Sequence, residues 1–182
     1  MIQQLTISLL GFVLSFSASP GDLSASQALA AWQPSIGDQL IIDTKNNVGY
    51  LLHPSGTNLS FKLVSGQRRT VNYIGLTYNA ATPEKYWIAK SHHVKGDRIT
   101  YGPSGRFIRL YENGDIYTHY GIHTHAYGDE YLASDNRYRS MGCIIVSEDI
   151  FDLIERTYLL SGKYLRVATR EGIGPGKIAL AK

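Results

Sequence analysis

Cysteine is almost absent: Cys143 is the only one in 182 residues, so no disulfide can form within the chain. Residues 1 to 44 carry no Lys or Arg. The apolar stretch Leu5 to Ser19, LTISLLGFVLSFSAS, falls short of the ~20 residues a membrane-spanning helix needs. No basic stripe runs through the chain. Eighteen Lys and Arg against fifteen Asp and Glu leave a formal charge of only +3, in scattered positions, which gives nucleic acid nothing to grip. Internal repeats are missing, and no linker composition interrupts residues 38–170. Together these absences leave one ordinary domain with no stable membrane span and no nucleic-acid partner, expected to act as a monomer.

Glycine and tyrosine are plentiful. Eighteen glycines and 43% hydrophobic residues suit a globular domain with many tight turns. Thirteen tyrosines against five phenylalanines favour strands and polar binding clefts. The length and small-residue content of the first 30 residues, with Ala28-Leu29-Ala30 as a cleavage pattern, fit an export signal. The alternatives are a buried N-terminal helix and a wrongly chosen start codon. Export would place the protein in the periplasm or cell wall of a bacterium, where a lone thiol needs a reason.

Strands are expected at Gln39 to Asp43 and Gly49 to His53 around an Asn46-Asn47 turn. LSFKLVSG alternates as a half-buried strand, and VNYIGLTYN and YWIAKSHHV are further candidates. Asn113-Gly114 between alternating runs predicts a hairpin of Phe107 to Tyr111 with Ile116 to His125. One main helix is expected after Cys143. Ser147 caps it, Glu148 and Asp149 sit at its positive end, and Ile150, Phe151, Ile154 and Tyr158 form its apolar face. KYLRVATR then returns as a strand, and residues 171–182 form a glycine-rich, loose tail. The fold class is mainly β.

The chemistry gathers on the second hairpin strand. Alternation puts residues 119, 121, 123 and 125 on one face. His119, His123 and His125 could therefore hold a metal, with Cys143 as a further ligand. Alternatively one histidine activates the Cys143 thiol, or the histidines simply sit half-buried and satisfied by backbone. Gly142 before Cys143 lets main-chain N–H groups approach a substrate carbonyl, as an oxyanion hole requires.

YGIHTHA followed by SMGCIIVSEDIFDLI resembles the L,D-transpeptidase catalytic (YkuD-type) domain, in which a histidine precedes a Ser/Thr-x-Gly-Cys motif. DQLIIDTKNNVGYLLHPSG, AATPEKYWIAK, GPSGRFIRL and SEDIFDLI…GKYLRV extend the likeness over about residues 38–170. The resemblance implies a β-sandwich or open barrel of mixed strands. It also implies cysteine-dependent acyl transfer on peptidoglycan stem peptides, at the bond between the L-centre of residue 3 and a terminal D-alanine, with no cofactor and no metal. Transfer to an amine gives a 3→3 crosslink; transfer to water makes an L,D-carboxypeptidase.

Carried over residue by residue, Cys143 is the nucleophile and His123 the base, with His125 in reserve. Backbone at Gly142 and Cys143 holds the oxyanion, and Ser140 shapes the loop. Tyr120, Tyr127, Tyr131 and Tyr138 are substrate-cleft candidates. Met141 departs from the usual histidine, and Ile145 stands where the family commonly has Arg or Asn. The rival readings are a zinc-dependent hydrolase or metal-binding protein built on the three histidines, and a non-catalytic wall-binding module.

Overall fold

The computed structural model describes residues 25–73, 75–173 and 178. Most of the expected export segment, and most of the expected loose tail, lie outside the described residues. The proposed Ala28-Leu29-Ala30 cleavage pattern falls within a short helix, α1 (Ala25–Ala31).

The elements then run β1 (Gln39–Asp43), β2 (Val48–Leu52), β3 (Asn58–Lys62), β4 (Ser65–Gly66), β5 (Thr70–Tyr73) and β6 (Leu76–Asn79). They continue through β7 (Tyr86–Val94), β8 (Arg106–Glu112), β9 (Gly121–His123), α2 (Gly128–Ala133) and β10 (Tyr138–Ser140). Last come β11 (Ile144–Ile145), α3 (Glu148–Leu160) and β12 (Leu165–Arg170). Eight strands form one mixed sheet in the order β11-β9-β8-β7-β12-β1-β2-β3. Its parallel pairs are β1 with β12 and β9 with β11, and the other pairs are antiparallel. The fold is mainly β, a mixed sheet with one main helix after Cys143, as expected.

α3 closes one face of the sheet. The Ser147 hydroxyl accepts from Ile150 N–H, supplying one of the acceptors a helix start lacks. Ile150, Phe151, Leu153, Ile154 and Tyr158 are buried in the core with Trp87, Ile108, Leu110 and Ile122, each such side chain stabilising by about 1.5–3 kcal/mol. Arg106 on β8 clamps the outer side of α3 through Glu148, Asp152 and Glu155 at 2.5–2.7 Å. Ser161-Gly162 ends the helix, with Gly162 at φ +73°.

Two expectations need correction. VNYIGLTYN is not one strand: residues around Gly75, at φ +74°, turn back to pair β5 with β6 in a sheet of their own. The second hairpin strand does not run from Ile116 to His125 either. Ile116 makes an isolated bridge to Glu112, and regular pairing resumes only at Gly121. Thr118 breaks the ladder: its hydroxyl donates to the Leu110 carbonyl, and its own carbonyl accepts from buried Arg109. Beyond His123, Ala126 N–H bonds to Ile99 O and draws the chain away from the sheet. The three histidines therefore do not share a strand face.

Candidate active site

The segment leading to Cys143 is held in place by a second strip of backbone. Val64 and Ile145 exchange both N–H···O bonds at 2.9 Å, and Gln67 N–H donates to Ser140 O at 2.9 Å. Thr82 Oγ1 bridges the strips, accepting from Gly66 N–H and donating to Gly142 O, each at 2.9 Å. Within the turn, Ser140 Oγ donates to Cys143 O at 2.6 Å and accepts from Gly142 N–H at 3.1 Å. Gly142 sits at φ +113°, and a Cβ there would lie 2.6 Å from the Tyr120 ring, so only glycine fits the turn without strain. The Gly142 N–H, expected as an oxyanion donor, is thus engaged by Ser140, which leaves the Cys143 N–H of the expected pair.

Cys143 lies one residue before β11. Because Ile144 pairs with Ile122 and Ile145 with His123, continuing the register sets Cys143 beside Gly121. Cys143 and His123 then lie on the same face of two parallel neighbouring strands, diagonal to each other. The next strand adds to both rows, since Arg109 pairs with Gly121 and Phe107 with His123. Gly121 has no side chain, so nothing of its own stands between Arg109 and the thiol. The Phe107 ring fills that space instead, 2.2 Å from where a Cβ would be.

Cys143 as a whole residue is half-buried, and its thiol is closely walled. The thiol donates to His119 O at 3.7 Å and accepts from Gly121 N–H. Burial pushes the thiol up to about 11, against smaller opposing effects of the Gly121 N–H and the Arg109 cation.

His123 is 4% exposed, with its ring between Tyr101 and Phe107 at centroid distances of 5.2 and 5.9 Å. Its Nδ1 bonds to its neighbour's carbonyl, Thr124 O, at 2.6 Å. This fixes the tautomer with Nε2 as the basic nitrogen. Burial lowers the imidazole to about 4, although the Thr124 and Thr100 carbonyls favour its protonation. At neutral pH the resting pair is therefore thiol and neutral imidazole.

The remaining candidates divide between places. Tyr120 packs at the Gly142 turn, and burial raises its phenol. His119 is exposed and meets Tyr117 edge-on. His125 accepts from Tyr127 N–H and lies against the Tyr127 and Tyr131 rings. Among the described residues no group of three or more His, Cys, Asp or Glu is arranged to hold a metal ion. The tyrosine-rich stretch expected to line a cleft forms α2, with Tyr131 on it, followed by β10. Tyr131 and Tyr138 both line an open basin of about 610 Å³ with Gln67, Arg68, Arg69, Asn136 and Arg139.

Sequence reasoning missed Arg109. It is 7% exposed, its guanidinium lies 4.4 Å from the Tyr117 ring centre, and its Nε has no hydrogen-bond partner. An arginine in FIRLYE reads as the outward residue of an alternating strand. It is buried because the Thr118 break folds Tyr117 across it.

No protein-family model matches the chain, and no curated protein matches it in sequence. Solved structures do. Bd1075 of Bdellovibrio bacteriovorus aligns over 76% of this chain and 49% of its own, with a TM-score of 0.51 and 10% identity. An L,D-transpeptidase of Xylanimonas cellulosilytica aligns over 78% of this chain and 66% of its own, with a TM-score of 0.48 and 19% identity. A cysteine-to-serine variant of an Enterococcus faecium L,D-transpeptidase aligns over 74% and 50%, with a TM-score of 0.46 and 16% identity. The chain spans about half to two thirds of the length of these proteins. At such identities the likeness is one of fold.

Proposed function

We propose that this chain is a cysteine acyltransferase of the L,D-transpeptidase kind, acting on peptidoglycan stem peptides in the periplasm or cell wall. The observation that carries the reading is the pairing of β9 with β11. It sets Cys143 and His123 on one sheet face, beside a turn that the φ of Gly142 and the Tyr120 ring restrict to glycine. The SMGC motif after YGIH supports the same chemistry.

Cys143 is the nucleophile and His123 the base. Substrate binding brings the thiol and Nε2 together; His123 takes the proton as sulfur attacks the carbonyl between the L-centre of residue 3 and D-alanine. The Cys143 N–H donates to the oxyanion of the tetrahedral intermediate. Collapse breaks the peptide bond, D-alanine leaves with the proton from His123, and a thioester remains on Cys143. An amine of a second stem peptide then attacks the thioester, forming the 3→3 amide and restoring the thiol; water in its place releases the tripeptide acid. Arg109, across Gly121, steadies the developing thiolate from a position the sequence motif does not include.

Two observations favour a second reading, a wall-binding module without turnover. The thiol donates to His119 O rather than to His123, and Ile145, 3% exposed, is the apolar neighbour of His123 in the register. Mass spectrometry of a disaccharide-tetrapeptide incubated with the protein decides between them. Acyl transfer predicts loss of the terminal alanine, insensitive to EDTA and abolished in Cys143→Ala. Binding without loss of alanine, equal in both proteins, establishes the module instead.

A further inference from the structure

Three arginines, Arg68, Arg69 and Arg139, line the 610 Å³ basin, and no carboxylate does. Arg68 is paired with Glu171 at 2.9 Å. Arg69 and Arg139 make no ion pair among the described residues. Neutral acceptors hold them instead. Arg69 Nε donates to Gln67 Oε1 at 2.7 Å, and Arg139 Nε donates to Asn136 O at 3.0 Å. Arg139 also lies 5.2 Å from the Tyr131 ring centre, and Arg68 lies 4.6 Å from that of Tyr138. These contacts fix the guanidinium groups of Arg69 and Arg139 without neutralising them, a preorganised arrangement suited to carboxylate recognition.

The basin is tied to the thiol by its own wall. Gln67 Nε2 donates to Arg139 O at 3.3 Å and contacts Met141 Sδ at 3.8 Å. Arg139 stands four residues before Cys143 on the same strip of chain. The amide side chains of Gln67 and Asn136 add hydrogen-bonding partners suited to peptide groups. We propose that this basin is a carboxylate-binding subsite, in which Arg69 and Arg139 hold the acidic groups of a stem peptide whose acyl end reaches Cys143. The proposal rests on the reading of the chain as one that handles stem peptides.

The test is calorimetric titration of the full chain carrying Cys143→Ala, so that the probe is not consumed. A disaccharide-tetrapeptide with free carboxylates is compared with the same compound amidated, at low salt. Arg69→Gln with Arg139→Gln should weaken binding of the free-carboxylate probe about tenfold or more, while Arg69→Lys with Arg139→Lys should retain most of it. Both arginines are exposed, so the substitutions leave the core untouched, and circular dichroism checks that they do. The amidated probe should bind the parent and the glutamine variant equally weakly. Equal binding of both probes to the parent, or no effect of the glutamine pair, overturns the proposal. Tighter arginine-dependent binding of a glycerol-phosphate oligomer overturns it in favour of a phosphate polymer. Arginine-dependent peptide binding without alanine release by the parent enzyme leaves the subsite standing and removes the acyltransfer reading. Alanine release indifferent to the arginines does the reverse.

Discussion

Cys143 and Arg139 are separated by four positions in the chain, yet their surroundings are opposite. Around the thiol, aromatic rings and main-chain groups crowd a cysteine and a histidine that burial keeps uncharged. At the basin, the guanidinium groups of Arg69 and Arg139 stand open to solvent with no ion pair among the described residues. The turn at residues 140–143, clamped by Ser140, is the boundary between them. Desolvation makes a reactive pair quiet until something displaces water and aligns it, whereas an exposed cation attracts a partner at once but binds it weakly in water. On the proposed reading, one region serves chemistry and its neighbour capture.

Three experiments sharpen or break that contrast. The largest effect is on stability in acid. His123 is lowered to about 4 from 6.5, so the unfolded chain binds its proton first. The stability it contributes is complete above pH 6.5 and is lost as pH falls toward 4, by up to about 3 kcal/mol. Urea midpoints at pH 7, 5.5 and 4.5 should fall for the parent and fall less for His123→Gln. That difference isolates His123 from His93 and His125, which burial also lowers. The arginine basin should have no part in it: Arg69→Gln with Arg139→Gln should follow the parent. A flat difference between parent and His123→Gln would mean that the ring is not desolvated.

The next effect is on reactivity. With the thiol raised to about 11 from 9.0, iodoacetamide at pH 7.5 should modify the folded protein about 100-fold more slowly than the urea-unfolded chain. Raising the salt should leave that ratio within about twofold, while binding at the basin should weaken steeply. Rapid modification of the folded protein at neutral pH would abolish the contrast. The smallest effect concerns Arg109. Arg109→Gln should slow alkylation below pH 11 by roughly threefold to tenfold, and Arg109→Lys should restore most of the rate. No change in either variant would show that the cation does not reach the sulfur.

Much of the scaffold was legible because single stretches of sequence carry their own periodicity. QLIID, YWIAKSHHV and LRVATR alternate or run apolar between turns, and SEDIFDLIERTYLL has a cap, an acidic first turn and one apolar face; each forms the expected element. The partners of those elements were less visible. Nothing local in QLIID states that it runs parallel to residues 127 positions later, which is a choice made by the whole sheet. The histidine strand failed for a definite reason. Ile116 to His125 alternates well enough, but a threonine hydroxyl and a buried guanidinium take the hydrogen bonds a continuous ladder would have used. The candidate site was legible only as a motif, with Ser140, Gly142, Cys143 and His123 in the order the resemblance implies. Neither the engagement of Gly142 N–H by Ser140 nor the burial of Arg109 leaves a mark in composition or spacing, because both depend on side chains from separate turns meeting in space.

The position of β12 has a consequence for how the molecule comes into being. It lies between β7 and β1, the last described strand in chain order filling the middle of the sheet. On a ribosome, β1, β2 and β3 emerge as one meander, and β7, β8, β9 and β11 as another, with no strand to join them. Only when residues 165–170 are released can the two halves be stitched into one sheet and α3 trapped against it. Assembly of the region around Cys143 is therefore coupled to the release of residues 165–170, and a chain truncated before Leu165 would present two open edges to its neighbours.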